Sequence, residues 1–334
     1  MSPADKSAGA PAARRAGTVG WGFLGAGHIA TANVGPAVRG LAGAELRAAA
    51  GRDRRRTGAL GAAACYPDYA DLLADDSVDV VYIALHNSAH AQWAVRALEA
   101  GRHVLCEKPL GLSAAEVETM ARAAAASGRL LVEATWNRWH PQTRDLARLL
   151  AEGVVGEVRH VAAVFDGADP DPDNYRRVAA LGGGALWDVG CYAVAAVLAA
   201  YGWAAPTVTA VRRDTWPGGS ADVRTSVDLG FAHGTATVLA SLSGTGQESL
   251  VITGTGGTLC MDHPFTAGRG PAEIRLETVR GSQVRHYPPV DPYALMAAEV
   301  TRAAAGDPSA FLVPLDQSLA VAGALDSIRR AAPV

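Results

Sequence analysis

A glycine-rich turn near the start of the chain, between a short apolar strand and a helix, constrains the fold more than any other feature. Residues 18–24 are typical of a strand, Gly25-Ala26-Gly27 of a turn, and a helix is expected from about His28. The spacing is G-x-G-x-x-A. The first glycine permits the tight turn, the second lets backbone approach a ligand, and a small third residue allows close helix–strand packing. Because free N–H groups at a helix N-terminus attract phosphate, the sequence predicts a dinucleotide site.

Strands and helices alternate through about residue 135. Strands are expected at residues 44–50, 78–84, 103–106 and 130–133, and helices at residues 52–64 and 89–100. A further helix begins at Ser113, where Glu116 completes a capping box. This alternation predicts an α/β domain with a doubly wound parallel sheet over residues 17–138. Residues 1–16, rich in alanine, proline and serine, are expected to be a disordered tail.

The second half of the chain follows a different pattern, with few helices between its later strands. Strands are expected at residues 158–165, 207–213, 224–231, 235–241 and 249–253, and helices at residues 185–200, 293–305 and 315–331. The short segment between residues 231 and 235 indicates a hairpin. Residues 139–334 are therefore predicted to be an α+β domain on a large open, mostly antiparallel sheet.

Composition limits the classes of function. The chain has 334 residues, a length that favours two domains. Its net charge of −3 gives no support for a nucleic-acid partner, and no apolar run is long enough to support a membrane partner. The four cysteines form no C-x-x-C pair, so free thiols and a cytoplasmic location are expected. None of the nine histidines stands in a metal-binding pattern, and no metal is expected.

The end of the second strand bears on the choice of cofactor. An acidic residue there would bind the ribose hydroxyl of NAD, but the strand ends Ala49-Ala50-Gly51-Arg52. Arg52, alone or together with Arg54, Arg55 or Arg56, is predicted to hold a 2′-phosphate. NADP is therefore favoured, while Asp53 leaves NAD possible.

Two segments carry candidate catalytic groups. The strand at 103–106 leads into Glu107-Lys108-Pro109, which places a lysine at the carboxyl end of a parallel strand. Asp188 and Tyr192 stand four residues apart on an otherwise apolar helix, so they share a face. Taken singly, the lysine could be a surface residue, the aspartate a response to the helix dipole, and the tyrosine part of the core.

Taken together, these segments resemble the glucose–fructose oxidoreductase/inositol 2-dehydrogenase family, called Gfo/Idh/MocA. The similarity runs through GFLGAGHIA, VDVVYIAL, HVLCEKPL, LVEATWNRWHP, GGGALWDVGCY, VITGTGGTL and PLDQSLAVAGALDSI, in the family's order. Tyr192 stands where inositol dehydrogenases carry histidine. The pattern is therefore closer to the dihydrodiol dehydrogenase and sugar 3-ketoreductase branches.

The resemblance implies an NAD(P)-dependent dehydrogenase or ketoreductase acting on the CH–OH group of a sugar, nucleotide-sugar or cyclitol. It implies that residues 139–334 serve substrate binding and oligomerisation, with a homodimer or homotetramer formed through the C-terminal sheet. The implied catalytic residues are Lys108, Tyr192 and Asp188. The expected cofactor-binding residues are Gly25, Gly27, His28, Ile29, Ala30, Arg52, Leu85, His86, Asn87, His90, Glu107, Lys108, Trp136 and Arg138, with Asn137 beside the nicotinamide. The expected substrate contacts are Lys108, Asn174, Tyr175, Arg176, Asp188 and Tyr192.

In the mechanism expected from this resemblance, Tyr192 exchanges a proton with the substrate oxygen. Lys108 hydrogen-bonds that oxygen and, as a cation, lowers the pKa of the tyrosine. Asp188 orients Lys108 or a substrate hydroxyl, and which of Lys108 and Tyr192 carries the proton is left open. The alternatives are a trans-dihydrodiol or xylose dehydrogenase and a non-enzymatic, cofactor-sensing regulator.

Overall fold

The computed structural model describes residues 17–268 and 270–331, so the expected tail at residues 1–16 lies outside the described part. The first half carries β1 (Val19–Leu24), α1 (Gly35–Gly40), β2 (Ala44–Ala50), α2 (Arg54–Ala59), β3 (Ala64–Tyr66), α3 (Tyr69–Leu73), β4 (Val80–Ile83), α4 (His90–Glu99), β5 (His103–Cys106), α5 (Ala114–Ser127) and β6 (Leu131–Glu133). Helical geometry begins at His28 and passes through a π-helical turn, Ala30–Val34, before α1.

The strands of the first half form one six-stranded parallel sheet, in the order β3-β2-β1-β4-β5-β6. The strands β1 and β4 are buried along their full length, as expected for a sheet covered on both faces. The strand order reverses between β1 and β4, and ligands of doubly wound sheets bind in the crevice at that point. The predicted doubly wound parallel sheet is confirmed.

One predicted element of this half is wrong. The helix expected over residues 52–64 ends at Ala59, and the chain then forms the short edge strand β3 beside β2. Glycine explains the early end, because Gly61 adopts a φ of 68° that other residues rarely tolerate. The alanine-rich composition had favoured a longer helix.

The second half carries α6 (Pro141–Ala151), β7 (Val158–Asp166), α7 (Cys191–Ala200), β8 (Thr207–Thr215), β9 (Asp222–Phe231), β10 (Gly234–Ser241), β11 (Glu248–Gly254), β12 (Gly257–Met261), β13 (Ala272–Thr278), β14 (Gly281–Tyr287), α8 (Pro292–Ala304) and α9 (Leu315–Ala331). Its eight-stranded sheet has the order β14-β13-β12-β11-β7-β10-β9-β8. Only β7 and β10 pair in parallel, which confirms the mostly antiparallel sheet. Strands β12 to β14, which were not predicted, extend it by three.

The last helices of the chain return to the first sheet and join the two halves. The indole Nε1 of Trp21 in β1 donates to Thr301 Oγ1 of α8 at 3.1 Å. Trp139, between β6 and α6, donates through Nε1 to the Phe311 carbonyl oxygen at 3.1 Å. A single hydrophobic cluster contains Trp21 and residues of both sheets. The two halves therefore share a core, which fixes the crevice between them.

The predicted helix over residues 185–200 forms, with one irregularity. Its first part is a π-helical turn, Leu186–Gly190, which continues directly into α7. Residues 179–200 are long and apolar enough to cross a membrane by composition, but 83% of the most apolar window is buried inside the protein. This segment is therefore a core helix.

Candidate active site

A cavity of about 750 Å³ opens at the carboxyl ends of the first sheet's strands, between the two halves. On one side lies the turn with residues 27–30. On the other side lie the chain that follows β7 and the π-helical turn Leu186–Gly190 that precedes α7. Lys108, Asp188 and Tyr192 all line it, together with Asn174, Tyr175 and Arg176. The structure thus brings together all the residues expected to contact substrate.

The glycine turn has the backbone that a dinucleotide site requires. Gly25 has a φ of 91°, and a Cβ there would lie 2.4 Å from the carbonyl oxygen of Ala84, the residue that follows β4. A Cβ on Gly27 would meet only that same oxygen, at 3.8 Å, so the turn is open on the cavity side. The helix that begins at His28 adds free N–H groups. These residues fit a pyrophosphate at the helix N-terminus.

The wall of the cavity carries a cluster of three charged side chains, of which Lys108 and Asp188 are 12% exposed and Arg176 is 28% exposed. Lys108 Nζ donates to the Asp188 carboxylate Oδ1 at 2.9 Å and to the Asp188 backbone oxygen at 2.6 Å. Arg176 Nε donates to the other carboxylate oxygen at 2.7 Å. An ammonium has three N–H groups, and among the described residues the third finds no hydrogen-bond acceptor. Lys108 can therefore still donate one hydrogen bond to a substrate.

The charges in this cluster hold one another ionised. Burial alone would raise the pKa of the Asp188 carboxyl, but the neighbouring Lys108 and Arg176 outweigh it and lower that pKa below its usual range. Burial alone would likewise lower the pKa of Lys108, but the Asp188 carboxylate outweighs it and raises that pKa. Lys108 is therefore a permanent cation at neutral pH and has no tendency to give up a proton.

Tyr192 lies beside this cluster in an aromatic environment. Lys108 Nζ lies 5.1 Å from the centre of its ring. The rings of Phe165 and Trp136 pack edge-on against it, with centroid distances of 5.7 and 6.2 Å. Burial raises the pKa of Tyr192 well above 10, the opposite of the lowering expected from the sequence. The reason is that the loss of solvent on burial outweighs the effect of the nearby Lys108 charge on the phenol.

Glycine shapes the loop that carries these groups. Gly182-Gly183-Gly184 precedes the π-helical turn, and a Cβ on Gly183 would lie 2.5 Å from the Arg176 carbonyl oxygen. Only glycine therefore lets the segment with Arg176 fold back against the helix start. Asn87 Nδ2, from the first half, donates to the Gly182 carbonyl oxygen at 2.8 Å. This hydrogen bond links the loop to the half that carries the glycine turn.

Most of the expected cofactor-binding residues line this cavity, and some lie elsewhere. Those on the wall are Gly27, His28, Ile29, Ala30, Leu85, Asn87, Glu107, Lys108 and Trp136. Those away from the wall are Gly25, Arg52, His86, His90 and Arg138, and Asn137 also lies outside. Gly25 shapes the turn, while Asn137 and Arg138 line a second cavity.

His90 is a buried residue that supports the local structure. It is fully buried, and its ring nitrogens lie 2.9 Å from the Pro109 carbonyl oxygen and 3.2 Å from that of Leu85. Burial lowers the pKa of His90 to about 4, so the ring is neutral and donates to one of these oxygens. His90 therefore supports the segment after Lys108, whose peptide bond to Pro109 is cis.

One of the arginines after β2 contacts the glycine turn. Arg56 Nε donates to the Ala26 carbonyl oxygen at 3.0 Å, which places that guanidinium directly at the turn. The carboxylate of Asp53 caps α2 by accepting hydrogen bonds from the backbone of Arg55 and Arg56. Asp53 thus caps the start of α2, and Arg56 lies at the glycine turn.

Several wall residues were not found from the sequence. Tyr293, at the start of α8, stacks on Trp136 with a ring separation of 4.9 Å. Asp166 at the end of β7 and Glu248 at the start of β11 also face the cavity. These positions come from distant parts of the chain, and no local spacing marks them.

We expect Asp188→Asn to destabilise the protein, because the amide leaves the largely buried Lys108 and the partly exposed Arg176 without a counter-charge. Loss of one partner from a buried ion pair costs about 3 kcal/mol or more, which thermal or urea unfolding will measure. The matched control is Asp76→Asn, since Asp76 is fully exposed while paired with Arg102. If both variants unfold like the wild type, the cluster does not stabilise the site.

Comparison with known proteins agrees with this geometry. A family model described as "Oxidoreductase family, NAD-binding Rossmann fold" matches residues 19–135, and one for the GFO/IDH/MocA C-terminal domain matches residues 143–260. An uncharacterised oxidoreductase of Rhizobium meliloti is 34% identical over 94% of this chain and 97% of its own length. A D-xylose 1-dehydrogenase (NADP(+)) of Haloferax volcanii is 43% identical over 53% of this chain and 55% of its own.

Among solved structures, a 3-ketoreductase from Actinomadura kijaniata in complex with NADP and TDP-benzene superimposes with a TM-score of 0.84. It is 28% identical, and the match covers 94% of this chain and 98% of that one. Both family models, the full-length relative and this fold agree with the cavity described above. The chain belongs to the GFO/IDH/MocA family of NAD(P)-dependent oxidoreductases.

Proposed function

We propose that the protein is an NADP-dependent ketoreductase or dehydrogenase that acts on one CH–OH group of an uncharged sugar or cyclitol. The observation that carries this proposal is the meeting of Lys108, Asp188 and Tyr192 in the cavity that also holds the glycine turn. The preference for NADP is supported by Arg56 at the turn and by the capping role of Asp53. It is supported also by the NADP named with the Haloferax and Actinomadura relatives.

Lys108 and Tyr192 have separate roles in the proposed ketone reduction. The bound cofactor supplies the hydride. Lys108, held as a cation by Asp188, donates its remaining N–H to the substrate oxygen and stabilises the negative charge that develops there. Tyr192, protonated because its pKa is raised, donates the proton to that same oxygen. Lys108 thus provides charge and Tyr192 provides the proton, and alcohol oxidation uses the same groups in reverse.

Turnover should depend on both groups, while cofactor binding should not. We expect Lys108→Ala and Tyr192→Phe each to reduce kcat by about 100-fold or more, the usual size of such contributions. Cofactor affinity, measured by NADPH fluorescence titration, should change little because the turn and Arg56 are untouched. Near-normal kcat in both variants would contradict the assignment.

The charge of the cavity wall favours an uncharged substrate over a nucleotide-sugar. The wall on the side of the second sheet carries the carboxylates of Asp166, Asp169, Asp171 and Glu248. Asp166 accepts hydrogen bonds from the backbone N–H groups of Ser243 and Thr245, both at 3.0 Å.

The nearby cations are already paired. Arg177 binds Asp169 at 2.8 Å, and Arg176 binds Asp188. A sugar diphosphate would therefore meet these four carboxylates, while the two cations of the described wall, Lys108 and Arg176, are both bound to Asp188. Repulsion between the wall carboxylates and the phosphates would therefore disfavour a nucleotide-sugar as substrate.

Neutralising the wall should change the choice of substrate. Asp169→Asn removes a carboxylate and frees Arg177, so we expect kcat/KM for a dTDP-sugar, relative to that for the free sugar, to rise about 10-fold. Steady-state assays of NADPH oxidation measure this ratio. The matched control is Asp173→Asn, on the same loop but not on the cavity wall. An equal effect of both variants, or a wild-type preference for the dTDP-sugar, would contradict the charge argument.

We also propose a cytoplasmic homo-oligomer formed through the outer face of the eight-stranded sheet. The outward side chains Ala162, Val164, Leu239 and Val251 form a contiguous apolar area on the central strands, where Val164 pairs with Leu239 and Ala162 with Val251. All four are only partly buried in the single chain. The four cysteines form no disulfide, which fits a reducing compartment.

A charge within this apolar area should separate the subunits. We expect Val164→Lys to reduce the mass in solution to that of one chain, because the lysine would be buried without a partner. Light scattering coupled to gel filtration measures the mass. The matched control is Val279→Lys, since Val279 is 95% exposed at the hairpin between β13 and β14. A wild-type mass equal to one chain would contradict the proposal.

A further inference from the structure

A second cavity, of about 320 Å³, lies behind Tyr192, between α6, α7 and the second sheet. Tyr192 belongs to the walls of both cavities, so its ring separates them. No other residue is shared by the two walls. A volume of this size is within the range of sites that bind small molecules.

The second cavity exists because two facing helices carry very small side chains. Ala147 and Ala151 of α6 face Ala196 and Ala199 of α7 across it. Larger side chains at such positions normally interdigitate and leave few voids. The aromatic ring of Phe265 and the side chain of Met261 close the floor. The space therefore suits a flat or compact apolar group.

Polar atoms in the wall indicate that the occupant also carries a hydrogen-bonding group. Asn137 is only 5% exposed, and its Nδ2 donates to the Pro264 carbonyl oxygen at 3.3 Å. Within residues 17–268 and 270–331, no group hydrogen-bonds to Asn137 Oδ1 or to Thr143 Oγ1, although both atoms are buried. Buried polar atoms are nearly always paired, because an unpaired one loses its interaction with water. Asn137 Oδ1 accepts hydrogen bonds only, so it selects a donor.

The one cation in this wall is already engaged. Arg138 Nη2 donates to Gln317 Oε1 at 2.5 Å, and its guanidinium lies 5.0 Å from the centre of the Trp203 ring. Trp203 has a φ of 66°, a conformation that a bulky residue seldom adopts, and it lines the cavity together with Gly202. With Arg138 occupied in this way, an anionic ligand gains little in this cavity.

We propose that this cavity is an effector site for a small uncharged molecule with an aromatic or aliphatic body and one hydroxyl or N–H donor. The donor group binds Asn137 Oδ1 and the hydroxyl of Thr143, and the body fills the space between α6 and α7. Because such a ligand rests against the back of Tyr192, its binding alters turnover in the catalytic cavity. The site goes beyond the proposed reaction and needs no particular substrate.

Three fluorinated probes of similar size test the site by ¹⁹F NMR titration of the NADP-saturated protein. 4-Fluorophenol carries the donor, fluorobenzene lacks it, and 4-fluorobenzoate replaces it with a negative charge. We expect saturable binding of 4-fluorophenol with a Kd of about 1 mM or tighter, and binding of the other two at least about 5-fold weaker. Absence of saturable 4-fluorophenol binding, or tighter binding of fluorobenzene or 4-fluorobenzoate, would overturn the proposal.

Two variants test whether 4-fluorophenol binds in this cavity. Ala196→Phe fills the space and should abolish 4-fluorophenol binding, whereas Ala125→Phe, on the exposed face of α5, should leave it unchanged. Thr143→Val keeps the shape and should weaken 4-fluorophenol about 3- to 10-fold without weakening fluorobenzene. Binding that survives both Ala196→Phe and Thr143→Val would show that the probe sits elsewhere and overturn the site.

Turnover provides the readout for the effector role. In the wild type, 4-fluorophenol should reduce kcat over the same concentration range as it binds, and saturating substrate should not remove the effect. Binding without any change in kcat would overturn the effector role. The binding experiment itself uses no substrate, so its outcome is independent of whether the proposed reaction is correct.

Discussion

The pairing of Lys108 with Asp188 joins the two halves of the protein at the point where chemistry is proposed. Lys108 follows a strand of the parallel sheet, whereas Asp188 lies in a helix packed on the antiparallel sheet. Both side chains are largely buried, so each charge depends on the other. Arg176 supplies the second cation, and the glycine loop allows it to come close. The cluster thus fixes the position of the ammonium and keeps it charged.

The same pairing determines what Tyr192 can do. A free lysine next to a phenol would lower its pKa, as the sequence led us to expect. Here Lys108 is hydrogen-bonded to the Asp188 carboxylate, and burial among aromatic rings raises the pKa of the phenol. Tyr192 is therefore protonated at neutral pH, and in the proposed reaction it is the proton donor. In the same proposal Lys108 contributes charge, because its raised pKa keeps its own proton in place.

Much of this arrangement could be predicted from local sequence. The turn at Gly25 and Gly27, the lysine after β5 and the Asp188–Tyr192 spacing are short patterns with direct geometric meaning. Tyr293, Asp166 and Glu248 could not be found in this way, because they reach the cavity through strands and helices far apart in the chain. Arg138 and Asn137 directly follow Trp136, yet they lie on the other side of Tyr192. A short 3₁₀ turn at Trp136–Trp139 sends neighbouring side chains in different directions.

The pH dependence of kcat/KM for ketone reduction by the wild-type enzyme tests the central assignment most directly. If Tyr192 donates the proton and Asp188 keeps Lys108 charged, the profile is flat through neutral pH. It then falls only above the ordinary tyrosine pKa of about 10, as the phenol loses its proton. A fall that begins near pH 7 would contradict this account, because it would require a proton donor with a lowered pKa.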